Sequence, residues 1–270
     1  YGDWSSDVCS SDLAGSSYAG LFLDGSKTPL AQGLVGALNA GGSATLMGSL
    51  STAGLSVGAH TLTMARQVGP HGTVHAFEPQ RIVFQTLCAN LALNSVTNVH
   101  CHQAAVGEAP GTITVPTLDY NAQNNFGGLP LGEFAPNSGE QVPVVTIDSL
   151  ELKQCQFIKV DVEGMELSAL KGAARTIERF HPLLYVENDR LELSPPLIEY
   201  LLSLDYRLYW HFPKLFSSDN FYRNPHDEFG RLVSVNMLCL HRSVASNISG
   251  LHLIETPQAD WRQFVGRRVG

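Results

Sequence analysis

Three carboxylates crowd the junction between an apolar run and a helical pattern. Asp161 lies near the end of the run "QFIKVDV", Glu163 occupies the following turn, and Glu166 lies in the helical pattern "GMELSALKGAARTIERF", predicted as one helix. A carboxylate at such a junction can take a proton from a hydroxyl or face a cationic group. Asp161 and Glu163 are therefore catalytic candidates. The alternative for Glu163 and Glu166 is that they stabilise the helix N-terminus through its dipole.

Two further acids follow predicted strands. Glu78 comes directly after "TVHAF", and Glu187 lies near the end of "HPLLYVEN". Ligands of open parallel sheets lie outside the carboxyl ends of the strands, where a carboxylate can accept both hydroxyls of a ribose. Glu78 is therefore a cofactor-binding candidate, with capping of the next helix as the alternative. Glu187 is a third catalytic candidate, with a structural hydrogen-bonding role as its alternative.

Two histidines alternate along the run "NVHCHQAAV". His100 and His102 are predicted to point to one face of a strand, as a metal-binding pair would. Zinc sites use three or four protein ligands, and the sequence shows no third ligand near this pair. No metal site is predicted.

Glycines precede the helical pattern that leads to the second strand. Gly54 and Gly58 are spaced G-x-x-x-G in "STAGLSVGAHTLTMA", where glycine lets the backbone approach a ligand closely. The dinucleotide fingerprint G-x-G-x-x-G is not present here. Together with Glu78, the spacing suggests a nucleoside cofactor without a pyrophosphate, and S-adenosylmethionine fits that description.

The elements that position these residues alternate between short β-rich runs and amphipathic helices of about 10 to 15 residues. The predicted fold class is α/β, a mostly parallel sheet with helices on both faces. The connector between "RLYWHF" and "SVNMLCLHR" is too short for a crossover helix, so these last strands are predicted to pair antiparallel. "NVHCHQAAV" is predicted as one strand, and "GTITVP" with "VPVVTI" as an added β excursion.

Composition limits the classes of partner. The 270 residues are 44% hydrophobic, enough for one large core, and carry a formal charge of −8. The 17 Lys and Arg form no dense cluster, so nucleic acid is not an expected partner. We expect a soluble, cytoplasmic protein with no membrane partner, because no apolar run is long enough for a bilayer. The five cysteines are widely spaced, which is typical of free thiols rather than of disulfide pairs. The sequence gives no prediction of oligomeric state.

The first residues have no helical or strand period. "WSSDVCSSDL" resembles the conceptual translation of a sequencing-library adapter, so residues 1–13 are predicted to be adapter-derived and without fixed structure. The remaining predicted segments are an N-terminal segment at 14–43, a catalytic domain at 44–242 and a C-terminal tail at 243–270.

Several motifs together resemble one family. "VGPHGTVHAFEPQ", "CANLALNSVTNVHCHQAAVG", "VPVVTIDSL" and above all "FIKVDVEGMELSALKGA" resemble the successive motifs of FkbM-type methyltransferases, from about residue 57 to 242. The resemblance implies a class I, Rossmann-like sheet of seven strands with an antiparallel last strand. It implies S-adenosylmethionine as methyl donor and a hydroxyl acceptor on a sugar or small metabolite. Acceptor identity is expected to depend on residues 119–140 and 211–230.

The resemblance also implies residue roles. Glu78 would bind the ribose, residues 54–58 the methionine end, and Gln103 with Ala104 the adenine rim, while Asp161 would orient the acceptor or face the sulfonium. The implied cofactor-binding residues are Gly54, Ser56, Gly58, Glu78, Gln103, Ala104 and Asp161. The implied catalytic residues are Asp161, Glu163 and Glu187.

The first cofactor motif departs from the family pattern. Members carry Asp-x-Gly-Ala-Asn-x-Gly, whereas this chain has Thr52 at the first position and "GGSATLMGS" where an apolar strand is expected. A shifted reading frame is one explanation, because back-translating residues 46–54 and reading one base earlier restores Asp-Gly-Val-Ala-Val-Asp-Gly-Gly. The alternatives to an active methyltransferase are therefore an inactive fragment of the same fold and, on the same sheet plan, an NAD-type oxidoreductase.

Overall fold

The computed structural model describes the backbone of residues 43–48 and, beyond that strand, the segments 59–116, 139–214, 225–227, 232–245 and 248–265. The predictions for residues 1–13, for most of 14–43 and for Gly54, Ser56 and Gly58 lie outside the described residues. In the described part of the chain, no helix is both long and apolar enough to cross a bilayer.

Two sheets are formed by the described strands. The strands are β1 Ser43–Gly48, β2 Thr73–Phe77, β3 Val99–His102, β4 Ala105–Val106, β5 Gly111–Pro116, β6 Gly139–Val145, β7 Phe157–Asp161, β8 Leu183–Glu187, β9 Tyr206–His211, β10 Asn236–His241 and β11 His252–Ile254. The main sheet has eight strands in the order β11-β9-β10-β8-β7-β1-β2-β3. Strands β3, β2, β1, β7 and β8 are mutually parallel, as predicted.

The closing strands are antiparallel, which confirms that part of the prediction. β10 lies between β8 and β9 and runs antiparallel to both. The sheet nevertheless has eight strands rather than seven, because residues 252–254 pair with β9 at the sheet edge. The sequence predicts a tail at 243–270, and the structure differs there. Ile254 and Trp261 are buried, so this segment contributes to the core.

The first strand forms despite its polar composition. The segment "GGSATLMGS" stands where the family pattern has an apolar strand, and Ser43–Gly48 within it form a strand whose backbone pairs with β2 on one side and β7 on the other. Main-chain hydrogen bonds to two neighbours do not depend on side-chain polarity. The register places Gly48 opposite Asp161, so β1 ends beside the motif acid.

The predicted third strand is split. Residues 99–102 belong to the main sheet, whereas residues 105 and 106 pair with β6 in a three-stranded sheet of order β4-β6-β5. The break falls at Gln103 and Ala104, where the chain leaves one sheet for the other. The β excursion predicted from "GTITVP" and "VPVVTI" is confirmed by the pairing of β5 with β6.

Five α-helices occur in the described segments. They are α1 Ala59–Val68, α2 Arg81–Leu93, α3 Glu166–Lys171, α4 Ala174–Phe180 and α5 Ser194–Ser203. The single helix predicted across residues 164–180 is therefore two helices. The break is at Gly172, whose carbonyl accepts a hydrogen bond from the Asp148 amide. The Asp148 carboxylate in turn accepts the amides of Arg175 and Thr176 in the first turn of α4.

Helices cover both faces of the central strands. On one face, residues of α3, α4 and α5 such as Leu170, Ile177 and Leu201 share a buried cluster with Ile158 of β7. On the other face, α1 packs against Phe157 and the first residues of the neighbouring strands. Because β7 is buried on both sides, its residues are apolar on both faces apart from Lys159 and the terminal Asp161, rather than alternating.

The cysteines agree with the prediction where they are described. Cys88, Cys101, Cys155 and Cys239 are free thiols. Cys9 lies outside the described residues.

We predict that Gly172→Ala destabilises the protein. A Cβ at Gly172 would lie 2.0 Å from the Gly107 carbonyl oxygen, and backbone atoms cannot swing aside as a side chain would. The free energy of unfolding should fall by about 1–3 kcal/mol in a denaturant titration followed by circular dichroism. Gly111→Ala is the matched control, since nothing lies within 4 Å of its Cβ position. Equal stability of the two variants would contradict the close approach.

Candidate active site

The predicted acids meet at one edge of the main sheet. Asp161 and Glu187 are the last residues of β7 and β8, and Glu78 directly follows β2. Because these strands are parallel, all three acids lie at the carboxyl edge. Strand β1 separates β2 from β7, so Glu78 and Asp161 flank the end of β1 rather than neighbouring each other directly. The end of β1 is therefore flanked by carboxylates on both sides.

Asp161 is held as a carboxylate by a buried lysine. The Lys159 ammonium contacts Asp161 Oδ2, and only 7% of the Lys159 side chain is exposed. Burial by itself raises the pKa of Asp161, but the Lys159 charge and hydrogen bonds from Glu187 and Lys159 outweigh burial and leave that pKa below its usual value. Asp161 is therefore a permanent negative charge at this edge.

Glu187 is the protonated partner of Asp161. Burial raises the pKa of Glu187 well above its ordinary value, and the charge of Asp161 raises it further. Two adjacent carboxyl groups in a buried site cannot both ionise at low cost, so one retains its proton. Glu187 thus donates a hydrogen bond to Asp161 at neutral pH. As a catalytic candidate, Glu187 is therefore suited to donate a hydrogen bond rather than to accept a proton.

Glu163 is presented by a turn with unusual backbone geometry. Its φ is 52° and that of Gly164 is 95°, both in the left-handed region, which is uncommon for a non-glycine residue. The turn is closed by Glu166, whose Oε1 accepts the amides of Gly164 at 2.9 Å and Val162 at 3.3 Å. Glu166 therefore has a structural role, which is to hold the turn that precedes α3. The Glu163 side chain instead contacts Arg190.

Glu163 has the proton affinity of a general base. Burial raises its pKa to about 7 and the nearby Asp161 charge adds to the rise, while Arg190 limits it. The Arg190 guanidinium donates to Glu163 Oε2 at 2.8 Å, which orients the carboxylate. A base with a pKa near the working pH combines availability with driving force. The three environments thus shift the three pKa values apart: the pKa of Asp161 is lowered, that of Glu163 is raised to about 7, and that of Glu187 is raised well above its ordinary value.

The same three carboxyl groups could contribute ligands to a cation. Asp161, Glu163 and Glu187 each place an oxygen within 4.8 Å of the others. Oxygen donors suit hard cations such as magnesium. Lys159 and Arg190 already supply positive charge to two of the three groups, and exposed acids cluster in many proteins without an ion. The absence of a metal, predicted from the sequence, stays a prediction.

The predicted cofactor residues Glu78, Gln103 and Ala104 lie together. Glu78 is 1% exposed, and its amide donates to the His102 carbonyl at 3.1 Å, which places it beside the end of β3. Its Oε1 accepts the amide of Gln80, the residue that precedes α2. The Glu78 carboxylate thus accepts a hydrogen bond from the residue before α2, as its capping alternative requires. It also lies at the end of β2, where a ribose-binding carboxylate is expected.

Sequence reasoning missed four residues of this site. Lys159, Tyr185, His211 and Arg190 lie among or beside the carboxyl groups; the Tyr185 hydroxyl is 2.8 Å from His211 Nδ1 in a buried contact. Lys159 carried a usable signal, because a lysine between Ile158 and Val160 in a strand buried on both faces must find a charge partner. Arg190 and His211 carried none, since their contacts cross between elements distant in sequence.

Comparison with known proteins identifies the family. The methyltransferase FkbM domain model matches residues 53–208, more than half of the chain. The chain belongs to the FkbM methyltransferase domain family. This agrees with the parallel sheet and with the motif residues at the end of β7.

Individual relatives of this FkbM domain are also methyltransferases. Methyltransferase 1 of Beauveria bassiana (strain ARSEF 2860) is 31% identical over 140 residues, covering 44% of this chain and 56% of the relative. Methyltransferase sdnD of Sordaria araneosa is 29% identical over 152 residues, covering 44% and 58%. The chain thus spans less than two thirds of the length of these relatives. A solved structure, the methyltransferase FkbM of Methylobacillus flagellatus KT, is 24% identical with a TM-score of 0.46, covering 73% of this chain and 44% of that one.

We predict that Glu163→Gln changes how stability depends on pH. The folded-state pKa of about 7 exceeds the ordinary value of 4.5, so the native state binds this proton more tightly than the unfolded state does. Stability from this group is complete below pH 4.5 and is lost as the pH rises through 7. The wild type should therefore lose on the order of 1–3 kcal/mol relative to Glu163→Gln between pH 5 and 8. Denaturant titrations at each pH measure this difference.

Glu192→Gln is the matched control, because Glu192 is exposed and lies near the same turn. It measures the effect of replacing an exposed carboxylate by an amide in the same part of the chain. Parallel pH curves for the wild type and Glu163→Gln would contradict the raised pKa of Glu163.

Proposed function

We propose that this FkbM domain transfers a methyl group from S-adenosylmethionine to a hydroxyl on a sugar or small metabolite. The observation that carries the proposal is the set of carboxyl groups around the end of β1. An ionised Asp161, a protonated Glu187 and a Glu163 whose pKa is about 7 lie on one side, and Glu78 lies on the other. This arrangement supplies a fixed negative charge, a hydrogen-bond donor and a proton acceptor.

The described residues fit an adenosyl donor. A buried carboxylate at the end of β2 can accept ribose hydroxyls, and the turn at Gln103 and Ala104 beside it can line the adenine. Glu78 and this turn are tied by the hydrogen bond between the Glu78 amide and the His102 carbonyl. When bound, S-adenosylmethionine supplies an electrophilic methyl group on a sulfonium. Gly54, Ser56 and Gly58, proposed for the methionine end, lie outside the described residues.

Asp161 and Glu163 would divide the electrostatic and acid–base work. Asp161 cannot readily act as the base, because Lys159 and Glu187 favour its ionised, hydrogen-bonded form. It instead offers a fixed charge that would orient the acceptor hydroxyl at the end of β1. Glu163 would take the acceptor's proton, a role worth about 10²–10⁴-fold in rate. Alignment of the two substrates at this edge would supply much of the remaining acceleration.

Two alternatives remain as outcomes of a binding experiment. The departure from the family pattern at Thr52 favours an inactive fragment, since a carboxylate is missing there. The NAD-type oxidoreductase has only the shared sheet plan in its favour, without the dinucleotide glycines. Calorimetry with S-adenosylmethionine and with NAD separates these cases: binding of the first alone supports the proposal, binding of NAD supports the oxidoreductase, and no binding supports the fragment.

We predict that Glu78 and Asp161 substitutions have different effects on the donor. Glu78→Ala should weaken S-adenosylmethionine binding at least about tenfold, because a good charged hydrogen bond contributes about 1.5–3 kcal/mol. Asp161→Asn should leave donor affinity within about threefold but abolish turnover. Calorimetry gives the affinities, and labelled donor with a panel of sugars, hydroxy acids and cell extract gives turnover by mass spectrometry. Equal loss of donor binding in both variants would refute this division of roles.

We predict that turnover depends on the ionisation of Glu163. The rate should rise with pH around an apparent pKa near 7, because the ionised carboxylate is the active form. Glu163→Gln should lower the rate by about 10²-fold or more and remove this pH dependence, while Glu192→Gln keeps both. A pH–rate profile that is unchanged in Glu163→Gln would assign the base elsewhere.

A further inference from the structure

Three histidines share one face at the β2–β3 edge of the main sheet, on the far side of β1 from Asp161 and Glu187. His75 lies on β2, and His100 and His102 lie on β3, which is the last strand in the sheet order. The register pairs His75 with His100 and Phe77 with His102. Because side chains alternate along a strand, the three imidazoles project from the same face. The sequence predicted the pair on β3 and missed His75.

Two ring nitrogens already lie at the separation of metal ligands. His75 Nδ1 is 3.2 Å from His102 Nε2. Two nitrogens bound to one tetrahedral zinc at 2.0–2.1 Å lie about 3.3–3.4 Å apart. The His75 ring also stacks with the His100 ring at a centroid distance of 5.2 Å. His100 does not place a ring nitrogen within 4.8 Å of both other rings, but it is exposed, so its ring can turn toward them.

We infer that His75 and His102, with His100 as a third ligand, bind a divalent transition metal of the zinc class. Imidazole suits zinc, copper, nickel and cobalt, whereas magnesium and calcium prefer oxygen donors. Three histidines leave a fourth position open to water or another ligand. The inference is independent of the proposed methyl transfer.

A metal bound by these histidines would cross-link β3, which is an edge strand, to β2. The carbonyl of His102 accepts the amide of Glu78, and Gln103 directly follows His102. Glu78 and Gln103 border the proposed adenosine position. Glu78 lies three residues after His75, and Gln103 lies one residue after His102. Because metal that binds the folded state alone stabilises it, the melting temperature should rise with free metal concentration.

The test uses the full chain without an affinity tag, stripped with a chelator and dialysed. Calorimetric titration with zinc chloride should give one site, and cobalt(II) should give the visible absorption of a tetrahedral complex. His75→Ala and His102→Ala should each weaken zinc binding about tenfold or more, and His100→Ala should weaken it less. His71→Ala is the matched control, because His71 is an exposed histidine in the turn before β2.

His75→Gln and His102→Gln repeat the test if the alanine variants melt earlier in chelator. Glu163→Gln and Glu187→Gln then distinguish the two places where a cation could bind. Zinc binding that persists in these two variants and is lost in the histidine variants supports the inference. Loss of binding in the glutamate variants alone would assign the metal to the carboxyl cluster and overturn it. Absence of zinc binding by the wild type, or binding unchanged in every variant, would also overturn it.

Discussion

The contact between Lys159 and Asp161 is the constraint on which the site depends. An ionised carboxylate at the end of a strand buried on both faces would be costly without a partner, and Lys159 supplies that partner from two residues earlier on the same side of β7. Burial raises the pKa of both Glu187 and Glu163, and the charge of the ionised Asp161 raises both further. The ion pair therefore adds to the effect of burial on the surrounding carboxyl groups.

The fold delivers these groups through strand order rather than through local sequence. β8 lies next to β7, so Glu187 arrives beside Asp161, while β1 keeps Glu78 at a distance on the opposite side. The glutamate that closes the turn after β7, Glu166, fixes the backbone that presents Glu163. Family membership explains why these features occur together, and the geometry explains what each carboxyl group can do.

Much of this could be predicted from sequence, because periodicity and motif spacing report local structure directly. The apolar run before Asp161 and the acids at strand ends indicated a parallel α/β sheet with its site at the carboxyl edge. Gly172 was read as part of one helix, since its close backbone approach to Gly107 involves residues far apart in the chain. For the same reason the ion pair of Glu163 with Arg190 and the addition of β11 could not be foreseen.

Carbon-13 NMR of the side-chain carboxyls, titrated from pH 3 to 9, tests the central claim most directly. Substitution of each acid by its amide assigns the signals. The account predicts that the pKa of Asp161 lies below its ordinary value and that the pKa of Glu163 is about 7. It also predicts that the pKa of Glu187 lies well above its ordinary value, so that Glu187 keeps its proton at neutral pH. A common titration of all three groups near pH 4.5 would contradict it.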